Sequence, residues 1–141
     1  MNRIFLLSCV GQKQPNAARA ADLYTSAWFV KARRRVEETG DPWFILSAEH
    51  GLLPPEQVIE PYDSTLNTMP AAERRDWARR VQDQMDVTLP AGADEIIVLA
   101  GGRYRENLMP YLRRRFLKVT VPMKGLRIGE QLKWLDNAAP L

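Results

Sequence analysis

Residues Asp41 to Tyr62 read DPWFILSAEHGLLPPEQVIEPY, and this stretch decides how the chain is read. Its first part, WFILSA, is a short continuous apolar run, the pattern of a strand buried on both faces. Directly after it the sequence gathers polar and ionisable groups: Ser47, Glu49, the only histidine His50, Glu60, Tyr62 and then Asp63. A solvated linker has no need to interleave such groups with Gly51, Pro54, Pro55 and the apolar Leu52, Leu53, Val58 and Ile59. The pattern predicts a packed loop at the carboxyl end of a buried strand, and a functional site on that loop.

Working outward, three further runs have the same character: NRIFLLSC at 2–9, DEIIVLA at 94–100 and KVTVP at 118–122. Helical periodicity fills the spaces between them. From about Ala21 to Glu38, the residues Leu23, Tyr24, Ala27, Trp28 and Val36 share a stripe while Lys31, Arg33, Arg34 and Arg35 lie largely off it, and Gly40 closes the helix. A second helix starts at Pro70, a good first-turn residue, and runs to about Asp86 with Trp77, Ala78, Val81 and Met85 inward. A third, within 100–116, is one that Pro110 kinks or restarts. IGEQLKWLDN forms the last short one. The order β-α-β-α-β-α-β-α predicts a mostly parallel four-stranded sheet flanked by helices, because parallel neighbours require helical crossovers. The expected fold is α/β, a doubly wound, Rossmann-like three-layer sandwich, with residues 1–141 as a single domain. Its ligand site belongs outside the carboxyl ends of the strands, in the loops SCVGQK, SAEHGLL extended to Asp63, AGGRY and PMKGLRIG.

Composition agrees with this class. At 141 residues the chain is long enough for one core, burying roughly 70% of its unfolded surface, and 45% apolar with 26% charged residues is ordinary for a soluble globular protein. No apolar run approaches the roughly 18 residues of a membrane span, RIFLLSCV has no cleavage pattern after it, and a single cysteine allows no internal disulfide. A cytoplasmic protein without membrane partners is expected; oligomeric state is open. The net charge of +3 hides fifteen arginines against five lysines, clustered at 33–35, 74–75, 79–80 and 113–115. Such clusters are either solvated helix faces or phosphate contacts.

The candidate site residues carry two readings each. His50 is a ligand contact or proton-transfer group, or a turn cap with satisfied nitrogens. Glu49 is a site acid or a surface one. Glu60 and Asp63 flank the restricted Pro61-Tyr62 turn, which can aim a carboxylate inward to hold ribose hydroxyls, activate water or stabilise an oxocarbenium-like sugar, with Tyr62 as a substrate-binding candidate. Ser8 and Lys13 are suited to an anion, the lysine as a point charge; their alternative is a capped loop and an exposed side chain. Cys9 stands where a nucleophile or a ligand contact would stand. Tyr24, with Ser26 near the start of the first helical segment, is core or a stacking platform for a base. Gly101 and Gly102 allow close backbone approach to a ligand under Arg103 and Tyr104, or only a tight turn; Gly125 and Gly129 share that ambiguity. GxGxxG, Walker and GxSxG patterns are absent. One histidine and one cysteine cannot supply a zinc set; Glu49, Glu60 and Asp63 could hold magnesium, but no metal or cofactor is expected.

The register L-S-x-x-H-G-L-L-x-P-x-x-x-I-x-P-Y from Leu46 to Tyr62 resembles the matching stretch of the YaaA-like peroxide-stress proteins, where tyrosine commonly replaces the histidine. SCVGQK, RAADLYTSAWF, SAEHGLL, EPYDSTL and GLRIGEQLKWL resemble the successive motifs of a small bacterial and phage domain family related to YaaA. The YaaA counterpart of LSCVGQK is ISPAK, so the resemblance shares Ser8 and a lysine but not Cys9. It implies an association with DNA binding and protection from oxidative damage. Two function classes therefore stand. One is a small enzyme acting on a nucleoside, nucleotide or modified nucleobase at the N-glycosidic bond, with His50 and Glu60 or Asp63 in acid-base roles. The other is a nucleic-acid-binding or stress-protection module whose arginines meet phosphates while its loops read an unpaired base.

Overall fold

The computed structural model describes residues 2–8, 11–137 and 140–141. Its centre is β1 (Arg3–Ser8), in which Ile4, Phe5, Leu6 and Leu7 are all fully buried. A strand with no exposed face must be covered on both, and the strands beside it supply its edges. β3 (Trp43–Ser47) and β6 (Glu95–Leu99) pair with β1 in parallel, with Phe5 beside Trp43 and Ile97. β7 (Lys118–Thr120) then pairs in parallel with β6. These are the four strands legible in the sequence.

The sheet has a fifth strand, and here the sequence expectation is corrected. β4 (Gly51–Leu53) folds back antiparallel onto β3, with Ser47 opposite Gly51 and Ile45 opposite Leu53, giving the order β4-β3-β1-β6-β7. The apolar pair Leu52-Leu53 is thus a buried edge strand within what reads as loop. Two further short strands, β2 (Ala18–Arg19) and β5 (Val58–Ile59), form a separate antiparallel ladder that ties the loop after β1 to the loop after β4. Strands this short carry too little periodic signal to stand out.

The helices also differ in detail from the expectation. The first helical segment is broken. α1 (Ala20–Leu23) ends at Tyr24, which is extended, and α2 (Ala27–Thr39) starts anew with Ser26 as its N-cap. The Ser26 hydroxyl accepts the Phe29 N–H, satisfying one of the orphan donors of a helix start. Gly40, at φ 74°, closes α2 as expected. α3 (Ala71–Thr88) buries the four residues its periodicity selects, Trp77, Ala78, Val81 and Met85. The segment around Pro110 divides into α4 (Gly102–Arg105) and α5 (Met109–Arg115), with the proline in the first turn of the second, where its missing N–H costs nothing. α6 (Ile128–Asn137) packs against α2, fixed by Trp28 Nε1 donating to Gln131 Oε1 at 2.9 Å and by a Lys31–Asp136 ion pair.

From β1 the chain passes through α2 to β3 on one side, and from the β4 side it returns through α3 to β6 on the other. That reversal falls at the carboxyl ends of β1, β3 and β6, where the general rule for open parallel sheets puts the ligand crevice. Among the described residues no helix is long and apolar enough to cross a membrane.

Candidate functional site

Ser8 and Ser47 are the two buried polar residues of the described chain, and both end strands at this crevice. The register sets Ser8 beside Leu46, one residue before Ser47, so the two serines face opposite sides of the sheet. The predicted site residues accordingly divide into two groups.

On the side of Ser47 a chain of hydroxyls is assembled. The Ser47 Oγ lies 2.7 Å from the Tyr62 hydroxyl, which lies 2.6 Å from the Tyr24 hydroxyl. Burial without partners is costly for such groups, so this chain holds the loop carrying Tyr62 onto the end of β3. Ser47 Oγ also accepts the backbone N–H of His50 at 3.0 Å, capping the turn between β3 and β4. The His50 ring stands edge-on to Tyr62, with centroids 5.5 Å apart and planes at 82°. Lys13 enters from the loop after β1, where it forms an isolated bridge with Tyr24. Its Nζ lies 4.5 Å from the Tyr62 ring centroid and 5.7 Å from that of Tyr24. Those rings are nearly perpendicular and make a two-walled aromatic corner for the ammonium. Tyr24 itself is 2% exposed and packs on Phe29, which makes its ring core rather than an open stacking platform.

On the side of Ser8 the Gly101 N–H donates to Ser8 Oγ at 3.4 Å, so β1 and β6 are latched at the crevice. Gly101, Gly102 and Arg103 are exposed there. Tyr104 is buried beneath them, edge-on to Trp77, with its hydroxyl 3.4 Å from both Thr65 Oγ1 and the Leu66 N–H. Tyr104 thus closes the core below the glycines instead of reaching over a ligand.

The helix α3 supplies what sequence reading missed. Four consecutive carbonyls of the β3–β4 turn meet donors from one face of this helix. Trp77 Nε1 donates to Ser47 O at 2.8 Å, the Arg80 guanidinium to Ala48 O at 3.4 Å and Glu49 O at 3.1 Å, and Gln84 Nε2 to His50 O at 3.0 Å. Positions 77, 80 or 81, and 84 recur on one helix face. Gln84 Oε1 also accepts the outward Leu52 N–H at 2.8 Å, which seals the edge of β4 against further strand pairing. The only signal in the sequence was a polar residue on the inner stripe of α3, which periodicity alone assigns to solvent.

The remaining acids lie apart from this cluster. Glu49, Glu60 and Asp63 are all exposed, and among the described residues no hydrogen bond joins the His50 ring to a carboxylate. No three of the described histidine, cysteine, aspartate and glutamate side chains group as metal ligands. Ser26 serves as a helix cap, and Cys9 lies outside the described residues. Gly125, at φ 83°, makes a turn before α6.

The arginine clusters are partly absorbed by the fold. Arg33 donates to Ala21 O, Asp22 and Glu37; Arg74 pairs with Glu106, Arg79 with Asp76 and Arg115 with Asp86. Asp22 receives both Arg19 and Arg33, and these two hydrogen bonds hold its carboxyl below the ordinary carboxylate range. Arg34, Arg75, Arg113 and Arg114 remain on the exposed surface. A cavity of about 600 Å³ lies between α1 and α2, with Tyr24, Thr25 and Arg34 in its lining. Another, of about 350 Å³, lies under the β3–β4 turn, lined by Ala48, Met69, Glu73, Asp76, Trp77 and Arg80.

Fold and site together define an α/β domain with a mostly parallel sheet and a tyrosine-lysine-serine cluster at the carboxyl ends of its strands. The chain belongs to the DUF6884 family, described as a family of unknown function, whose model matches residues 4–137. It is also similar to the uncharacterised protein YfjM of Bacillus subtilis (strain 168), at 32% identity over 147 residues, covering 98% of this chain and 95% of that protein.

Proposed function

We propose that this domain is a small enzyme that binds a nucleoside- or nucleotide-like molecule at the carboxyl edge of its sheet and acts at the N-glycosidic bond. The observation that carries the reading is the chain Ser47–Tyr62–Tyr24, with Lys13 against its rings, at a strand-order reversal. Open parallel sheets bind ligands at such a point. Hydroxyls, an imidazole and an ammonium suit a polar, anionic ligand with a ribose. Cleavage of a glycosidic bond asks for a proton donor to the leaving base and a carboxylate for the oxocarbenium-like sugar. His50 and Tyr62 are the donors at hand in this reading, and Glu60 or Asp63 the carboxylate, brought over the ligand from the same loop.

Finer readings go with it: a Rossmann-like three-layer arrangement, kinship with the YaaA-like proteins through the L-S-x-x-H-G-L-L register, and a cytoplasmic setting. The nucleic-acid-binding or stress-protection module is the second reading. The exposed Arg113 and Arg114 favour it, since neither has an acidic partner among the described residues.

A thermal-shift screen against nucleobases, nucleosides, nucleotides, sugar phosphates and short DNA or RNA tests the proposal, because a ligand that binds only the folded state raises the melting temperature. Stabilisation by one small-molecule class, lost in His50→Ala and Tyr62→Phe, is expected. A response to oligonucleotides alone, abolished by salt and by Arg113→Ala with Arg114→Ala, would replace the enzyme with the binding module.

A further inference from the structure

Lys13 is placed differently from several other half-buried cations of the described residues. Arg3 faces Asp41, Lys31 faces Asp136, Arg33 faces Asp22 and Glu37, Arg74 faces Glu106, and Arg115 faces Asp86. Arg105 donates to the Ala100 carbonyl. Lys13 has no carboxylate among the described residues and lies against two aromatic faces. Partial burial removes water from an ammonium, and ring faces replace only part of that hydration. A fold that needed this charge only for packing would do as well with an uncharged chain. The backbone that carries this side chain is also held in place. Gln14 N–H donates to Leu23 O at 2.9 Å and Thr25 N–H to Gln12 O at 2.8 Å, so the backbone on both sides of Lys13 is bonded to the Leu23–Thr25 segment.

We infer that Lys13 is the anchor for the phosphate of the ligand, so that the molecule bound is a nucleotide or another phosphorylated sugar and not a free nucleoside. This rests on the small-ligand reading above and narrows its substrate class. Two walls of the ammonium's surroundings are tyrosine rings, and the anion approaches from the open side. Lysine acts there as a point charge on a phosphate oxygen. Tyr62, whose ring lies under the ammonium and whose hydroxyl is in the Ser47 chain, puts the phosphate next to the groups assigned to chemistry.

The test is isothermal titration of the full chain with adenosine and AMP, guanosine and GMP, cytidine and CMP, ribose 5-phosphate, and inorganic phosphate, in the native protein and in Lys13→Met and Lys13→Arg. Methionine keeps the apolar stem against the rings, so folding is preserved; circular dichroism and the melting temperature verify this. At least one nucleotide is expected to bind roughly tenfold or more tightly than its nucleoside, as for a charged hydrogen bond. Lys13→Met should erase the difference and Lys13→Arg retain part of it. Equal binding of nucleoside and nucleotide, or a phosphate preference that survives Lys13→Met, overturns the role of Lys13 while leaving nucleoside binding intact. Phosphate or ribose 5-phosphate binding that is lost in Lys13→Met, with no response to any nucleotide, upholds the anchor and sinks the nucleotide reading. No response to any of these molecules overturns both.

Discussion

The loop that begins at Ser47 has two halves with opposite physical characters. In the first, from Ser47 to His50, the turn is fastened to α3 by Trp77, Arg80 and Gln84 and is capped from within by the Ser47 hydroxyl. In the second, from Glu60 to Asp63, only Tyr62 is tied down, and the two acids on either side of it are exposed. The comparison teaches which part of a polar loop is architecture. Groups that meet the backbone of another element have one position. Groups that meet only water have many, and acquire one when a ligand supplies it.

Replacing Trp77 by alanine attacks the clamped half at its strongest point. It deletes a buried ring and leaves Ser47 O without its donor, and a loss of about 3–5 kcal/mol in a denaturant titration is expected. Gly51→Ala comes next. Gly51 has φ 71°, and an added Cβ would overlap Gln84 Oε1, the atom that caps Leu52. Backbone strain and loss of that cap predict a cost of about 1–3 kcal/mol. A change of less than about 0.5 kcal/mol would show that Gln84 does not hold the turn.

Acidity separates the clamped turn from the α1–α2 junction. The donors from α3 meet carbonyls, which do not titrate. Asp22 meets Arg19 and Arg33 and has its pKa lowered below the ordinary 3.8. The sign follows from linkage: the contribution is complete above the unfolded-state value and is lost as pH falls through the lower folded-state value. The stability difference between the native chain and Asp22→Asn, measured across an acid pH series, should therefore shrink toward zero at the acid end. Asp22 is partly exposed, so the effect is smaller than that of either core change. A difference independent of pH would count against the carboxylate as its source.

The smallest effects belong to the open half. Glu60→Gln and Asp63→Asn should each change stability by no more than about 0.5 kcal/mol. Ligand binding or turnover is where one of them should matter. If both proved costly to stability, the second half would be architecture too, and the contrast would fail.

Much of the fold could be read from the chain. The four parallel strands, the inward face of α3, the restart at Pro110 and the final helix all follow from runs and periods that a single segment carries in full. The break at Tyr24–Ser26 was not legible, because the residues on either side continue the helical pattern and the interruption arises from pairing Lys13 with Tyr24. β4 was hidden for a similar reason: three residues are too few for alternation to appear, and their strand character comes from lying beside β3. In the site, Ser8, Lys13, Tyr24, Ser47, His50 and Tyr62 were marked by their places at strand ends or in the distinctive loop. Their division onto two faces of the sheet follows from the register between β1 and β3, which neither segment contains alone.

By itself, then, the sequence determined the class of fold, the four parallel strands of the sheet and the edge at which its polar chemistry collects. These depend on the local alternation of apolar and polar residues. Tertiary structure alone decided that Tyr62 bridges Ser47 and Tyr24, that Lys13 lies on two aromatic faces, and that Trp77, Arg80 and Gln84 fasten the turn of His50. Those contacts join residues about 11 to 49 positions apart, and hydrogen bonds and ring contacts act only over a few ångströms, so nothing within one segment specifies them.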